Sequence, residues 1–375
     1  MNKKAITTLL FGDEKYIIGA IINAYLHKKF IDKYNLKIDM TVMLDVKFAQ
    51  YKDELSQYYD KIFMIELDET KISSKTDIRR YASVMKYLPS KALMFNLTEY
   101  DKVLFTDVDF LPIKKEFYTI FDLDTPAFYS EEINCDKFNQ IYDDNVFVDR
   151  KTNQKYIDNK EYNKIIKNMK NSINATLMLI KPSEKDYEDF LLFKKYAEGK
   201  YGVETKKGVD EILILGFTVL IKKENIHCIP TSFRNKAGII NKNFLGINFA
   251  SMIKPWLRLP MFQWAEENIW HVIAKKALKK SVLFTNLYIS KLLENFRELT
   301  KNYMSGKNIR NPKIFETQGK KQLLELMKYL MDHESLDIEN DTSIIKHIMS
   351  EAQQIHSHIF EKLNDNYSEI ITVIE

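Results

Sequence analysis

Apolar runs alternate with amphipathic stretches along the first 110 residues of the chain. The predicted strands cover residues 5–11, 38–44, 62–67 and 103–107, and the predicted helices cover 17–30, 48–58 and 77–97, the last of them broken near Pro89. Continuous apolar strands that alternate with helices are typical of a mainly parallel sheet covered on both faces. The pattern therefore predicts an α/β fold with a mainly parallel central sheet, whose ligands bind beyond the carboxyl ends of the strands.

The pattern changes in the second half of the chain. Residues 134–171 are polar and rich in Asp, Asn and Lys, which predicts a long loop or insertion. Further strands are predicted at 175–180, 226–229 and 247–249, and helices at 184–196 and from 210. From about residue 262 only helical periodicity remains. We expect two domains, 1–260 and a helical C-terminal extension over 261–375, and the extension is expected to pack on the first domain or to form a homodimer with a second copy.

Composition excludes several classes of partner. The net charge is +4, and the 56 basic and 52 acidic residues are interspersed. The sequence therefore lacks the clustered basic residues that would predict a nucleic-acid partner. No apolar run approaches the roughly 18 residues of a membrane span. Asp13, Glu14 and Lys15 interrupt the first apolar run too early for a signal peptide. Cys135 and Cys228 cannot build a disulfide framework or a zinc site, so we expect a reducing, cytoplasmic location.

Two carboxylates follow the fourth predicted strand. Asp107 and Asp109 are separated by Val108 and come at the carboxyl end of an apolar run. Carboxylates are the hard ligands that Mn²⁺ and Mg²⁺ prefer, and such an ion can bridge a diphosphate. Acidic pairs are also common as solvated strand ends, so the motif alone leaves both interpretations open.

Four segments resemble one family in the same order along the chain. Residues 99–109 resemble the metal-binding segment of the glycogenin-like glycosyltransferases (glycosyltransferase family 8), and residues 174–183 and 208–211 resemble two donor-sugar segments of that family. Residues 248–256, Asn-Phe-Ala-Ser-Met-Ile-Lys-Pro-Trp, resemble its His-Phe-x-Gly-x-x-Lys-Pro-Trp signature. The resemblance covers roughly residues 4–258. It implies a GT-A type nucleotide-binding fold and a retaining hexosyltransferase.

The resemblance also implies the reaction. A UDP-sugar, with glucose as the expected hexose, is the donor, and a hydroxyl on a glycan or protein is the acceptor. Mn²⁺ or Mg²⁺ assists the reaction, and the product has an α-linkage.

The resemblance assigns roles residue by residue. The implied metal ligands are Asp107, Asp109 and Asn248, and Asn248 stands where the family has His. The implied catalytic residues are Asp210 and Glu211, and Glu211 replaces a family Gln. Besides the metal ligands, the implied donor contacts are Thr8, Leu9, Tyr16, Arg80, Lys91, Val108, Asn174, Ala175, Ser251 and Lys254. Tyr16 is expected to stack on the base and Lys254 to reach the diphosphate.

Several alternatives stay open on the residues alone. Lys91 also fits an exposed helix charge, and Glu211 fits either a nucleophile or a hydrogen-bond acceptor for sugar hydroxyls. The substitutions at 248 and 211 also fit a degenerate transferase that only binds nucleotide sugar or a partner. Residues 105–109 further resemble the nucleophile strand of haloacid-dehalogenase-like phosphatases, but three predicted strands precede them and no Gly-rich loop follows.

Overall fold

The computed structural model of the chain describes residues 3–73, 82–130, 173–200, 202–203, 208–222, 224–237, 243–250, 254–257, 265–291, 368–370 and 372–374. Arg80, Ser251, the predicted loop over 134–171 and most of the predicted helical extension lie outside these residues. The chain divides into two compact units. The first comprises residues 1–12, 34–110 and 115–233, and the second comprises 13–33, 111–114 and 234–375. The domain boundary at residue 260 stays a prediction.

The strands found in the described residues are β1 (Lys4–Leu10), β2 (Ile38–Asp45), β3 (Lys61–Ile65), β4 (Lys102–Thr106), β5 (Phe110–Pro112), β6 (Ala127–Tyr129), β7 (Asn174–Ile180), β8 (His227–Ile229), β9 (Asn235–Lys236) and β10 (Gly246–Asn248). Seven of them form the central sheet of the first unit, in the order β3-β2-β1-β4-β7-β6-β8. The pairs β1–β2, β2–β3, β1–β4 and β6–β8 are parallel, and β7 runs antiparallel to β4 and β6. The predicted α/β fold with a mainly parallel central sheet is confirmed.

The α-helices of the described residues include α1 (Lys15–Lys33), α2 (Lys52–Leu55), α3 (Ala82–Met85), α4 (Glu184–Glu198), α5 (Val209–Gly216) and α6 (Ala265–Leu278). Two of the predicted helices are helical but mostly of the 3₁₀ type. The helix predicted over 48–58 is a 3₁₀ helix at Val46–Tyr51 followed by the single turn α2. The described part of the helix predicted over 77–97 is α3 and a 3₁₀ helix at Leu88–Asn96, with Pro89 in its first turn. Proline fits there because the first turn needs no intrahelical N–H donor.

The strand order places polar groups at one edge of the central sheet. The switch point of the strand order lies between β1 and β4. Open α/β sheets bind ligands at such a point, beyond the carboxyl ends of their strands. Since β7 is antiparallel to β4, with Thr106 paired with Leu177, the beginning of β7 lies beside the end of β4. Residues 107–109 and 174–176 are therefore neighbours for topological reasons.

The second unit contains α1, α6, the 3₁₀ helix Pro255–Leu257 and a small sheet in the order β5-β10-β9, to which it contributes the last two residues of β5. Trp256 is fully buried and packs on Trp270, with ring centroids 5.8 Å apart. It also lies against Gly19 of α1, where an added Cβ would come within 2.5 Å of the indole. A glycine at this position lets the indole pack directly on the helix backbone.

Two further features bear on the sequence predictions. Cys228 is disulfide-bonded, and the expected cytoplasmic location stays a prediction. The only other cysteine of the sequence, Cys135, lies outside the described residues. Within the described part of the chain, every helix is too short or too polar to cross a membrane.

Candidate active site

Asp107 is fixed at the end of β4 by the backbone around it. Its N–H donates to the carbonyl of Thr176 at 3.3 Å, and its own carbonyl accepts from the N–H of Phe110 at 3.0 Å. The first bond continues the pairing of β4 with β7 by one residue, and the second closes the turn into β5. The Asp107 side chain is 30% exposed and thus open to a ligand.

Lys91 joins two of the predicted site carboxylates. Its Nζ lies 2.9 Å from Asp107 Oδ1 and 3.0 Å from Asp210 Oδ2, and it donates to the Ala175 carbonyl at 3.3 Å. The Lys91 side chain is only 7% exposed, so its interpretation as an exposed helix charge is wrong. Burial alone would lower the pKa of this ammonium, but Asp107 and Asp210 outweigh burial and raise it, so the lysine is charged. The charge of Lys91 thus links β4 to α5.

Asp210 and Glu211 lie in the first turn of α5. Glu211 Oε1 accepts from the Ala175 N–H at 3.3 Å, and its Oε2 accepts from the Gly208 N–H at 3.2 Å. The second bond satisfies a backbone donor at the helix start, as the glutamate of a capping box does. Glu211 therefore ties the start of α5 to the start of β7.

Glu211 has an altered acidity. Desolvation and the neighbouring Asp210 carboxylate raise its pKa to about 7, although Lys91 and the two backbone N–H donors pull it down. A carboxyl group that titrates near neutrality beside a fixed carboxylate is typical of functional sites. Its two backbone hydrogen bonds also give it a positioning role at the start of α5.

The start of β7 contacts most of this network. Ala175 accepts from Lys91 and donates to Glu211 through its backbone, and the Thr176 hydroxyl donates to Asp107 Oδ2 at 3.1 Å. Asn174 supports this segment because its side-chain oxygen accepts from the Thr176 N–H at 3.1 Å. The structure thus brings together five residues of the predicted site, Lys91, Asp107, Ala175, Asp210 and Glu211. It adds Thr176, which was not predicted.

The other predicted donor contacts of the first unit lie at the carboxyl ends of the central strands β1 and β4. Asp109 is buried and Val108 is half-buried just beyond β4. Thr8 and Leu9 are buried in the last part of β1, next to the point where the strand order reverses. The Thr8 hydroxyl has no hydrogen-bond partner within the described residues. The roles of these four residues stay predictions.

Three predicted residues belong to the second unit. Asn248 ends β10 and is buried, and its side-chain oxygen accepts from Arg234 Nη2 at 3.0 Å. Lys254 Nζ donates to the Phe249 carbonyl at 3.1 Å. Tyr16 packs edge-on against Trp256, with ring centroids 5.8 Å apart. Their predicted contacts with metal, diphosphate and base stay predictions.

The donor groups fit a divalent ion only in part. The carboxylates of Asp107 and Asp109 are hard oxygen ligands suited to Mn²⁺ or Mg²⁺. The buried guanidinium of Arg234 instead places a positive charge 3.0 Å from the Asn248 oxygen, which opposes a cation at that atom. Within the described ranges, no group of three His, Cys, Asp or Glu side chains is placed to hold a metal. Lys91 likewise lies 2.9 Å from Asp107 Oδ1, but Asp107 and Asp109 are anionic and Asn248 is neutral, so the two aspartates are the stronger part of the predicted ligand set.

Comparisons with known proteins bear on the family. Over 265 residues the chain is 24% identical to an uncharacterised protein, R707, of Acanthamoeba polyphaga mimivirus, a match that covers 69% of this chain and 84% of that protein. Over 135 residues it is 29% identical to glycogenin-1 of Saccharomyces cerevisiae (strain YJM789), covering 32% of this chain. The resemblance to the glycogenin-like glycosyltransferases is confirmed. The matched segment spans 22% of the length of glycogenin-1, and no family model matches the chain.

The chain also has a distant likeness to solved glycosyltransferase structures. One is the galactosyltransferase LgtC in complex with donor and acceptor sugar analogues, with 12% identity, a TM-score of 0.42 and coverage of 72% of this chain and 95% of that one. A likeness at this TM-score says nothing further about the activity of this chain.

Sequence reasoning missed three contributors to the network and its surroundings. Thr176 lies in the segment 174–183 that resembles the family, but its hydroxyl gave no signal of a bond to Asp107. The N–H of Gly208 holds Glu211, but a backbone donor leaves no trace in residue identity. Arg234 lies in an irregular polar stretch, Thr231 to Lys236, that matches no quoted motif.

Proposed function

We propose that the chain is a retaining GT-A glycosyltransferase that moves a hexose from a UDP-sugar to a hydroxyl of a glycan or protein, with Mn²⁺ or Mg²⁺ assisting and an α-linkage formed. Glucose is the expected sugar, as the similarity to glycogenin favours. The observation that carries the proposal is the buried Lys91 bridge between Asp107 and Asp210. It joins the predicted metal-binding motif to the predicted sugar-binding motif at the edge of the sheet where nucleotides bind in open α/β folds.

Each residue of the network has a role in this proposal. Asp107 and Asp109 would hold the divalent ion, which stabilises negative charge on the leaving diphosphate when it is bound. Lys91 fixes Asp107 and Asp210 relative to each other, and Asp210 accepts hydrogen bonds from the donor sugar. Glu211 orients α5 through the N–H groups of Ala175 and Gly208. With each oxygen already accepting a backbone hydrogen bond, Glu211 suits a hydrogen-bonding role better than nucleophilic attack.

The experiment is turnover of a panel of UDP-sugars, followed by mass spectrometry, with Mn²⁺, Mg²⁺ or EDTA. The matched control is Asp109→Asn, which keeps the side-chain shape and removes the charge. We expect one donor to be hydrolysed or transferred in a metal-dependent way, with the activity lost in the control. An unchanged rate in EDTA would contradict the metal-assisted proposal, and no binding of any UDP-sugar would contradict the transferase itself.

A second candidate is a degenerate transferase that binds nucleotide sugar without turning it over. The contact between Arg234 and Asn248 favours it, because this cation sits at the residue predicted as the third metal ligand. Metal-dependent UDP binding without turnover of any donor, in the presence of glycan and protein acceptors, would support this alternative. A cytoplasmic location and a homodimer formed through the helical extension remain predictions of the sequence.

A further inference from the structure

Thr176 contacts Asp107 twice. Its carbonyl accepts from the Asp107 N–H at 3.3 Å, and its hydroxyl donates to Asp107 Oδ2 at 3.1 Å. The other carboxylate oxygen, Oδ1, lies 2.9 Å from Lys91 Nζ. Each oxygen of Asp107 therefore has its own donor, one charged and one neutral.

Two donors on opposite oxygens fix the rotation of the carboxylate. The terminal torsion of an aspartate is broad when nothing holds it. Thr176 is a rigid anchor, because it is β-branched, buried in β7 and bonded to Asp107 through its backbone. An ionised carboxylate has about four acceptor sites, more than these two bonds use. The two bonds thus orient the Asp107 carboxylate.

We propose that Thr176 is a positioning residue whose hydroxyl sets the orientation of the Asp107 carboxylate for the divalent ion of the donor complex. The assignment rests on the proposed function, since it takes Asp107 to be a metal ligand. Hydrogen bonds to ligating carboxylates typically contribute 10- to 100-fold to metal affinity or activity. Thr176 would act through Asp107 and would itself touch neither the ion nor the sugar.

The test compares Thr176→Val with Thr176→Ser. Valine keeps the shape of threonine and removes the hydroxyl, whereas serine keeps the hydroxyl. Thr7→Val is the matched control, because Thr7 is fully buried in β1 and its hydroxyl has no hydrogen-bond partner within the described residues. Mn²⁺ affinity is measured by electron paramagnetic resonance of the free ion, with UDP present, and urea unfolding shows that each variant is folded.

We expect Thr176→Val to weaken Mn²⁺ binding by about 10- to 100-fold, as for other hydrogen-bond partners of ligating carboxylates. Thr176→Ser and Thr7→Val should bind Mn²⁺ like the wild type. In turnover assays the Mn²⁺ concentration for half-maximal rate should rise in Thr176→Val, and the rate at saturating Mn²⁺ should largely return. Loss of stability alone would produce no such shift in metal dependence.

The outcomes separate this inference from the transferase proposal. A wild type that transfers sugar, together with a folded Thr176→Val that binds Mn²⁺ equally well, overturns the role of Thr176 alone. A Thr176→Ser variant that loses as much affinity as Thr176→Val also overturns it. The expected loss of Mn²⁺ affinity in a protein that transfers no sugar supports the role of Thr176 and contradicts the transferase. A wild type that binds no Mn²⁺ overturns both.

Discussion

Lys91 Nζ lies 3.0 Å from Asp210 Oδ2, and both side chains are almost completely buried. The same ammonium also neutralises Asp107, at 2.9 Å. The carboxylates of Asp107 and Asp210, both within 3.0 Å of this nitrogen, would repel each other without the cation between them. Removal of the bridge should therefore lower the stability of the protein, which can be measured without any substrate.

We predict that Lys91→Met lowers the free energy of unfolding by about 3 kcal/mol, because removal of one partner leaves a buried charge uncompensated. The double variant Lys91→Met/Asp210→Asn should recover part of that loss, since it removes the stranded carboxylate as well. Urea unfolding followed by circular dichroism measures both effects.

The control for this prediction is Lys86→Met. Lys86 lies five residues earlier and pairs with Glu69 at 2.5 Å, but both side chains are substantially exposed. Exposed ion pairs contribute little to stability, so this variant should unfold like the wild type. Equal stability of Lys91→Met and Lys86→Met would contradict a stabilising role for the buried bridge.

The fold was largely predictable because its strands are long, apolar runs. β1, β2 and β4 have five to eight residues and are almost entirely buried, so they stand out without any periodicity. β5 and β6, with three residues each, and β9, with two, were not predicted, whereas β8 and β10, also of three residues, were. The helix at Leu88–Asn96 was predicted without its 3₁₀ type because residue spacing alone separates α-helices and 3₁₀ helices poorly.

The candidate site was predictable where side-chain identity carries the chemistry. Asp107, Asp210 and Lys91 were named from their motifs, and the structure places them in one network. What could not be predicted is which groups hold them. Thr176 reaches Asp107 because β7 runs antiparallel to β4, and Glu211 is held by two backbone N–H groups. Such contacts depend on strand register and on main-chain donors, which no single segment of sequence specifies.

Asn248→His tests whether this position is a metal ligand. Imidazole is a softer donor than an amide oxygen, so a true ligand site should shift its preference from Mg²⁺ towards Mn²⁺. We expect the ratio of the two activation constants to change several-fold, measured as turnover or UDP binding against metal concentration. Since Arg234 donates to Asn248, the stability of the variant is measured alongside. An unchanged metal ratio in a folded variant would remove Asn248 from the ligand set.

Gly208→Ala tests the packing at the start of α5. A Cβ at this position would lie 2.7 Å from Asp210 Oδ1 and 3.1 Å from the Glu211 side chain. Asp210 is held by Lys91 and Glu211 by two backbone donors, so neither can move without breaking a bond. We expect a loss of about 1–3 kcal/mol in the free energy of unfolding, as for other overpacked sites. Wild-type stability together with wild-type turnover would show that the two carboxylates are not fixed.

Glu211 should make the stability of the protein depend on pH near neutrality. Its pKa is raised from 4.5 to about 7 by desolvation and by Asp210, so the folded state binds its proton more tightly than the unfolded state does. The resulting stabilisation is complete below about pH 4.5 and is lost as the pH rises through about 7. Wild-type unfolding free energy should therefore contain a component that falls with pH across this window.

The matched variant Glu211→Gln isolates that component, because glutamine has a similar shape and does not titrate. Glutamine can accept only one of the two backbone hydrogen bonds, which lowers stability by an amount that does not depend on pH. The wild type should therefore exceed the variant by more at pH 5 than at pH 8, and the change is on the order of 1 kcal/mol for a partly exposed group. Urea unfolding of both proteins at the two pH values measures this double difference. A difference that is the same at both pH values would show that Glu211 titrates outside this window, and a larger difference at pH 8 would mean that its pKa is lowered.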